Sequence, residues 1–163
     1  MTNEKQMKIK IILVGKTNAD YLTQGIEVYR SRVSKYLPIE IQVIPAMKST
    51  KSWSADDFKN REGEQILRWI ETGDHVVLLD ENGKTYHSVA FAEFLQHKMN
   101  IGLRRLIFVV GGAYGFSPAI YARADAKLSL SKMTFSHQLI RLIFLEQLYR
   151  AFSIINNEPY HNA

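Results

Sequence analysis

Two hydrophobic periods alternate along this chain. Apolar residues every second position, or in a short continuous run, mark a strand; apolar residues three and four apart mark a helix. Lys8–Val14 (KIKIILV) alternates and then turns wholly apolar, a first strand closed by Gly15. Leu22, Ile26, Tyr29, Val33 and Leu37 follow at helical spacing, which predicts a helix over Asp20–Leu37, stopped by Pro38. Ile39–Ile44 (IEIQVI) alternates as a second strand, closed by Pro45. Ala46–Ser54 is basic, small and without period, and reads as a mobile loop. Ser54 and Asp57 form a weak capping box for a charged helix to Thr72. Phe58, Ile66, Trp69 and Ile70 are its expected inward residues, and Gly73 its C-cap.

The continuous runs His75–Asp80 (HVVLLD) and Leu106–Val110 (LIFVV) predict parallel strands buried on both faces. Between them come a turn, Glu81–Lys84, and a helix capped by Ser88 and running to Asn100. Past Val110 lies a glycine loop, Gly111–Gly115. Ser117-Pro118 then opens a short helix, a hydroxyl N-cap with proline at the first helical position. Lys127–Leu130 is a short fifth strand, and a last helix spans Ser136–Ile155. Five strands alternating with five helices specify an α/β fold, with a mainly parallel five-stranded sheet and helices on both faces. Residues 7–163 read as one domain, and the patternless residues 1–6 as a flexible extension.

Composition removes several chemistries. The absence of cysteine excludes disulfides, Cys-bound zinc and thiol catalysis. No apolar run reaches the ~18 residues of a membrane span, and the N-terminus lacks a signal-peptide core. A cytoplasmic protein with no membrane partner is expected. Lys and Arg number 21 against 16 Asp and Glu, a net charge of +5. That permits an acidic partner such as RNA without demanding one.

Three places are candidates for chemistry. Gly111–Gly115 joins a buried strand to a capped helix, so its amides are placed to meet a ligand, or it is a tight turn. Its GGxxG spacing is not the GxGxxG of a dinucleotide loop, and Lys127–Leu130 lacks the acid that would bind a ribose diol. The loop Ser131–Thr134 offers hydroxyls, amides and one cation at the end of a strand, or a cap for the helix that follows. On that helix His137 and Arg141 share a face. Ile140, Ile143, Phe144, Leu148, Ala151, Phe152 and Ile155 form a wide apolar stripe, with more apolar residues beyond it. That surplus points to burial against a second chain. The tail, Asn157 to His161, is rich in functional side chains for a terminus.

Four segments, taken together, resemble the RlmH family of SPOUT-class methyltransferases. They are Phe108–Phe116 (FVVGGAYGF), Leu128–His137 (LSLSKMTFSH), Glu146–Phe152 (EQLYRAF) and Glu158–His161 (EPYH), and the similarity runs from Met7 onward. The resemblance implies a trefoil knot at the C-terminal end of the fold. It implies S-adenosylmethionine as cofactor, with contacts at Leu79, Gly111, Leu130, Ser131, Lys132, Met133, Thr134 and Phe135. It implies a homodimer through the C-terminal helix, with each site completed by the other subunit's tail. The reaction would be methylation of N3 of a pseudouridine in 23S rRNA within the assembled ribosome, with no metal. For the proton on N3, histidine titrates nearest neutral pH, so His161 is the first candidate base and His137 its competitor. Tyr160 and Arg141 would position the base or a phosphate. Lys48, Lys51, Lys132 and Arg141 are the candidate phosphate contacts.

Overall fold

The computed structural model describes residues 6–48 and 50–162. Residues 1–5 of the expected extension therefore lie outside the described residues. Gln6 donates its side-chain N–H to the Tyr36 carbonyl at 2.6 Å. The elements are β1 (Lys8–Val14), α1 (Asp20–Ser34), β2 (Ile39–Ile44), α2 (Ala55–Leu67), β3 (His75–Thr85), α3 (Ser88–Asn100), β4 (Arg105–Val110), α4 (Pro118–Arg123), β5 (Ala126–Ser129) and α5 (Leu139–Ile155).

Every strand pair is parallel, in the order β2-β1-β4-β3-β5. The period-two rule then sorts the side chains. Ile9, Ile11 and Leu13 of β1 join Leu106, Phe108 and Val110 of β4 on one face, under α1, α3 and α5. Ile12 and Val14 join Ile107 and Val109 on the other, under α2 and α4. Helix α5 lies against both α1 and α3. Its apolar surplus is thus largely consumed within the chain, by the sheet below it and a helix on either side.

Several helix ends differ from the sequence pattern. After Leu67 the bonds Trp69 N–H to Ile66 O and Ile70 N–H to Leu67 O span three residues, so α2 tightens and stops with Arg68 as C-cap; Gly73 lies beyond. Trp69 is 41% exposed, with the Lys10 ammonium 4.8 Å from its ring centre. The Ser54–Asp57 capping box is complete in both directions. His87, not Ser88, is the N-cap of α3, and the Ser88 hydroxyl instead donates to Gln147 on α5 at 2.9 Å. Helix α5 begins at Leu139, whose N–H is received by Ser136 Oγ at 3.1 Å.

The expected turn at Glu81–Lys84 is an arch. β3 pairs with β5 through Leu79 and Leu128, then pairs again through Lys84 and Leu128, and through Thr85 and Ser129. The register of β3 against β5 thus shifts between Leu79 and Lys84, where Asp80–Gly83 arches out of the pairing. A Cβ on Gly83 would stand 2.7 Å from the Leu128 nitrogen, so only glycine fits where the backbones cross.

Candidate active site

The C-terminal ends of parallel strands gather the loops, and ligands in open α/β sheets bind there. A cavity of about 580 Å³ opens at the ends of β3, β4 and β5. Three segments build it: the arch from Leu79, the glycine loop from Gly111, and the stretch from Leu128 to His137. Its size lies within the roughly 300–1,000 Å³ of small-molecule pockets. Of the expected cofactor contacts, Leu79, Gly111, Leu130, Ser131, Met133, Thr134 and Phe135 line it together. Lys132 does not; its side chain is exposed outside the lining.

The loop before α5 is shaped by its own hydroxyls. Ser129 Oγ donates to the Ser131 carbonyl at 2.9 Å, and Ser131 Oγ accepts the Met133 N–H at 2.9 Å. Sequence reasoning missed the acidic wall. Asp80 and Glu81 line the cavity, and among its described lining residues there is no Lys or Arg. Asp80 accepts from the Tyr121 hydroxyl at 2.6 Å and from the Asn82 N–H at 2.9 Å. Burial, with that bond to Asp80, pushes the Tyr121 phenol up to about 12, so it stays a donor. The available signal was Asp80 itself, the one charge ending an otherwise apolar strand.

Arg141 sits elsewhere than on an RNA-facing surface. It is fully buried. Its guanidinium donates to the carbonyls of Val14 (2.7 Å), Gly15 (2.9 Å) and His137 (3.2 Å), and to Thr17 Oγ1 (3.0 Å). Those bonds tie the end of β1 to the start of α5. His137 is thereby fixed at its backbone, and its exposed side chain lines both the first cavity and a second one of about 670 Å³.

Tyr160 and His161 come to the far end of α5. The Tyr160 hydroxyl donates to Glu146 at 3.0 Å, and its ring stands edge-on to Tyr149, with centroids 4.6 Å apart. Burial, reinforced by bonds to Tyr29 and Glu146, raises its pKa far above the usual phenol value. His161 Nδ1 is 3.1 Å from Arg150 Nη1. A guanidinium only donates, so Nδ1 is the acceptor and the neutral ring carries its proton on Nε2. Ile140, which lines the cavity, and Arg150 are separated by about 15 Å of helix. The structure thus brings His137 to the cavity and holds Tyr160 and His161 away from the one in their own chain.

An all-parallel sheet with a small-molecule cavity at its C-terminal edge serves many activities, and sequence comparison gives the class. Residues 7–161 match the family described as "Predicted SPOUT methyltransferase". The protein belongs to the SPOUT methyltransferase family. It is 53% identical over 156 residues to the ribosomal RNA large subunit methyltransferase H of Christiangramia forsetii, covering 96% of this chain and 99% of that one. Proteins of the same name from Parabacteroides distasonis (53%) and Flavobacterium johnsoniae (51%) match over the same shares of chain.

Proposed function

We propose that this protein transfers a methyl group from S-adenosylmethionine to N3 of a pseudouridine in 23S rRNA, acting as a homodimer on the assembled ribosome in the cytoplasm. The observation that carries the choice of donor is the charge of the cavity wall. S-adenosylmethionine brings a sulfonium and an ammonium, and Asp80 and Glu81 are the charged residues at the cavity. A phosphate-bearing dinucleotide would meet those carboxylates without a cation to offset them. Bound there, S-adenosylmethionine supplies a methyl group activated by its positive sulfur. Leu79, Leu130 and Ile140 give the adenine apolar walls, and the backbone of Gly111 and of Leu130–Phe135 supplies its polar contacts. The fold would carry a trefoil knot in this region, a reading that the register shift of β3 against β5 supports.

The dimer follows from reach. Tyr160 and His161 are too far along α5 to serve their own cavity, so a second copy's tail would close it, with Tyr160 and His161 as donors that orient the nucleotide. Met133 (77% exposed) and Phe135 leave apolar surface at the cavity for such a contact. Lys48, Lys51 and Lys132, all exposed, would meet phosphates.

The experiment offers labelled S-adenosylmethionine with assembled ribosomes, separated subunits and free rRNA. Label in 23S rRNA of ribosomes is expected. No label in any acceptor would end the enzymatic reading, and label in free rRNA alone would end its ribosomal part. Calorimetry with S-adenosylmethionine and NAD checks the donor separately.

A further inference from the structure

The second cavity has no task in the function proposed above. It opens at the ends of β1 and β2 and shares one wall, Gly112–Tyr114 with His137, with the first. β1 and β4 are neighbours whose onward connections leave in opposite directions, to β2 and to β5, so this is the switch point of the sheet. The Phe58 and Tyr114 rings, 4.9 Å apart, stand at its side. Glu62 lies deep in it, 5% exposed. Both carboxylate oxygens press on Gly112: a Cβ there would stand 3.1 Å and 3.3 Å from them. Among the described residues no Lys, Arg or His forms an ion pair with Glu62, and no side chain hydrogen-bonds to it.

We infer that this cavity receives the target pyrimidine and that Glu62 is the catalytic group that takes the proton from N3. The inference rests on the function proposed above. Aromatic walls suit a flat ring, and a lone buried carboxylate suits an imide N–H that must be bonded and then deprotonated. The shared wall sets the ring beside the methyl donor's cavity. The step balances within these parts. The N3–H bond breaks and its proton passes to a Glu62 oxygen. The freed nitrogen pair forms the N–C bond as the donor's S–C bond breaks, that pair going to sulfur, so the sulfonium charge is lost. Glu62 then returns the proton to water.

The environment of Glu62 agrees. Burial holds its carboxyl above the usual carboxylate range, with the Gly112 amide opposing. The other titratable groups on the cavity are Lys16 from the loop after β1, Tyr114 from the glycine loop and His137 before α5. On its own helix Lys59 pairs with Asp56, and Arg61 lies over Trp53, 4.4 Å from the ring centre. A raised folded pKa means Glu62 favours the fold most below the ordinary carboxylate pKa. That contribution disappears as pH rises through the folded value.

Glu62→Gln keeps the shape and removes the base. The variant should bind S-adenosylmethionine as the wild type does, by calorimetry. It should unfold at higher temperature than wild type at neutral pH, because the unfavourable buried charge is gone. Single-turnover transfer to ribosomes should fall about 100-fold or more. Its rate should climb with hydroxide, about tenfold per pH unit, where the wild type levels off. In the donor-free wild type, carbon NMR of the Glu62 carboxyl should give the same pKa as the inflection of the pH–rate profile. Near-normal transfer by Glu62→Gln, an unchanged pH profile, or loss of donor binding and stability together would assign Glu62 to structure and overturn the inference. If His137→Ala abolishes the inflection instead, the base is His137. Absence of transfer by the wild type strikes the proposed function itself, a result distinct from any of these.

Discussion

Two arginines stand at opposite ends of the same sheet and are held in opposite ways. Arg105 begins β4. Its guanidinium lies 3.0 Å from Asp74 and 3.1 Å from Glu71, and it also donates to the Trp69 carbonyl at 3.2 Å. The Nε contact to Asp74 has the distance of an ion pair without the alignment of a hydrogen bond. Arg123 joins the same cluster, bonding the carbonyls of Glu71 and Asp74 and the Asp125 carboxylate. Arg141, at the other end, meets carbonyls and one hydroxyl and forms no ion pair among the described residues, and burial lowers its pKa. The difference follows from what each end of a parallel sheet must do. The N-terminal edge is free to close over with charges that satisfy one another. The C-terminal edge must stay open for a ligand, so its strand-end carbonyls are tied down by one cation placed behind the cavities.

Substitutions at these two ends should separate stability from activity. The largest effect is expected at Arg141→Ala, which strands several buried carbonyls and leaves a void, for a loss of roughly 3–5 kcal/mol in urea unfolding. Donor affinity should fall with it, because the start of α5 is no longer anchored. Arg141→Lys should recover little, since an ammonium lacks the fork that spans Val14 and Gly15. Asp74→Ala comes next, about 1–3 kcal/mol, with methyl transfer at saturating donor unchanged. A change in turnover there would show that the two ends are coupled. The smallest effect should be Lys8→Ala. Its pair with Glu40, at 2.8 Å, is on the surface, so the loss should stay within about 1 kcal/mol and shrink with added salt.

The strands were legible because each is buried by a rule that acts locally. KIKIILV sends Ile9, Ile11 and Leu13 one way and Ile12 and Val14 the other, as its alternation requires. The glycine loop and Ser131–Thr134 were legible as candidate cavity walls, each beside a plainer reading as a turn or a helix cap, because ligands in α/β sheets gather where a strand ends and a helix starts. Less local features were not. Glu81-Asn82-Gly83-Lys84 carries every signal of a turn, and nothing in it states that β3 continues through it to pair again with β5. The spacing of His137 and Arg141 placed them on one helix face, but His137 comes before α5 and stays exposed, while Arg141 is buried against the end of β1. Glu62 belongs to a run of charges that reads as a solvated helix face. The clue was Gly63 beside it: a Cβ there would collide with Ser117 Oγ, so α2 is drawn down onto the start of α4 at that point.

The arch from Asp80 to Gly83 also fixes an order of events. β5 lies some 40 residues later in the chain than the arch it pairs beside, several seconds of synthesis at about 5–20 residues per second. β3 and its arch therefore exist before β5 does. β5 takes its place beside β3 only after that later part of the chain has been made. The pairing joins segments far apart in sequence, which slows folding more than it alters final stability. The backbone contact at Gly83 therefore forms late, and the cavity, walled by arch and β5 together, is complete only once β5 has paired.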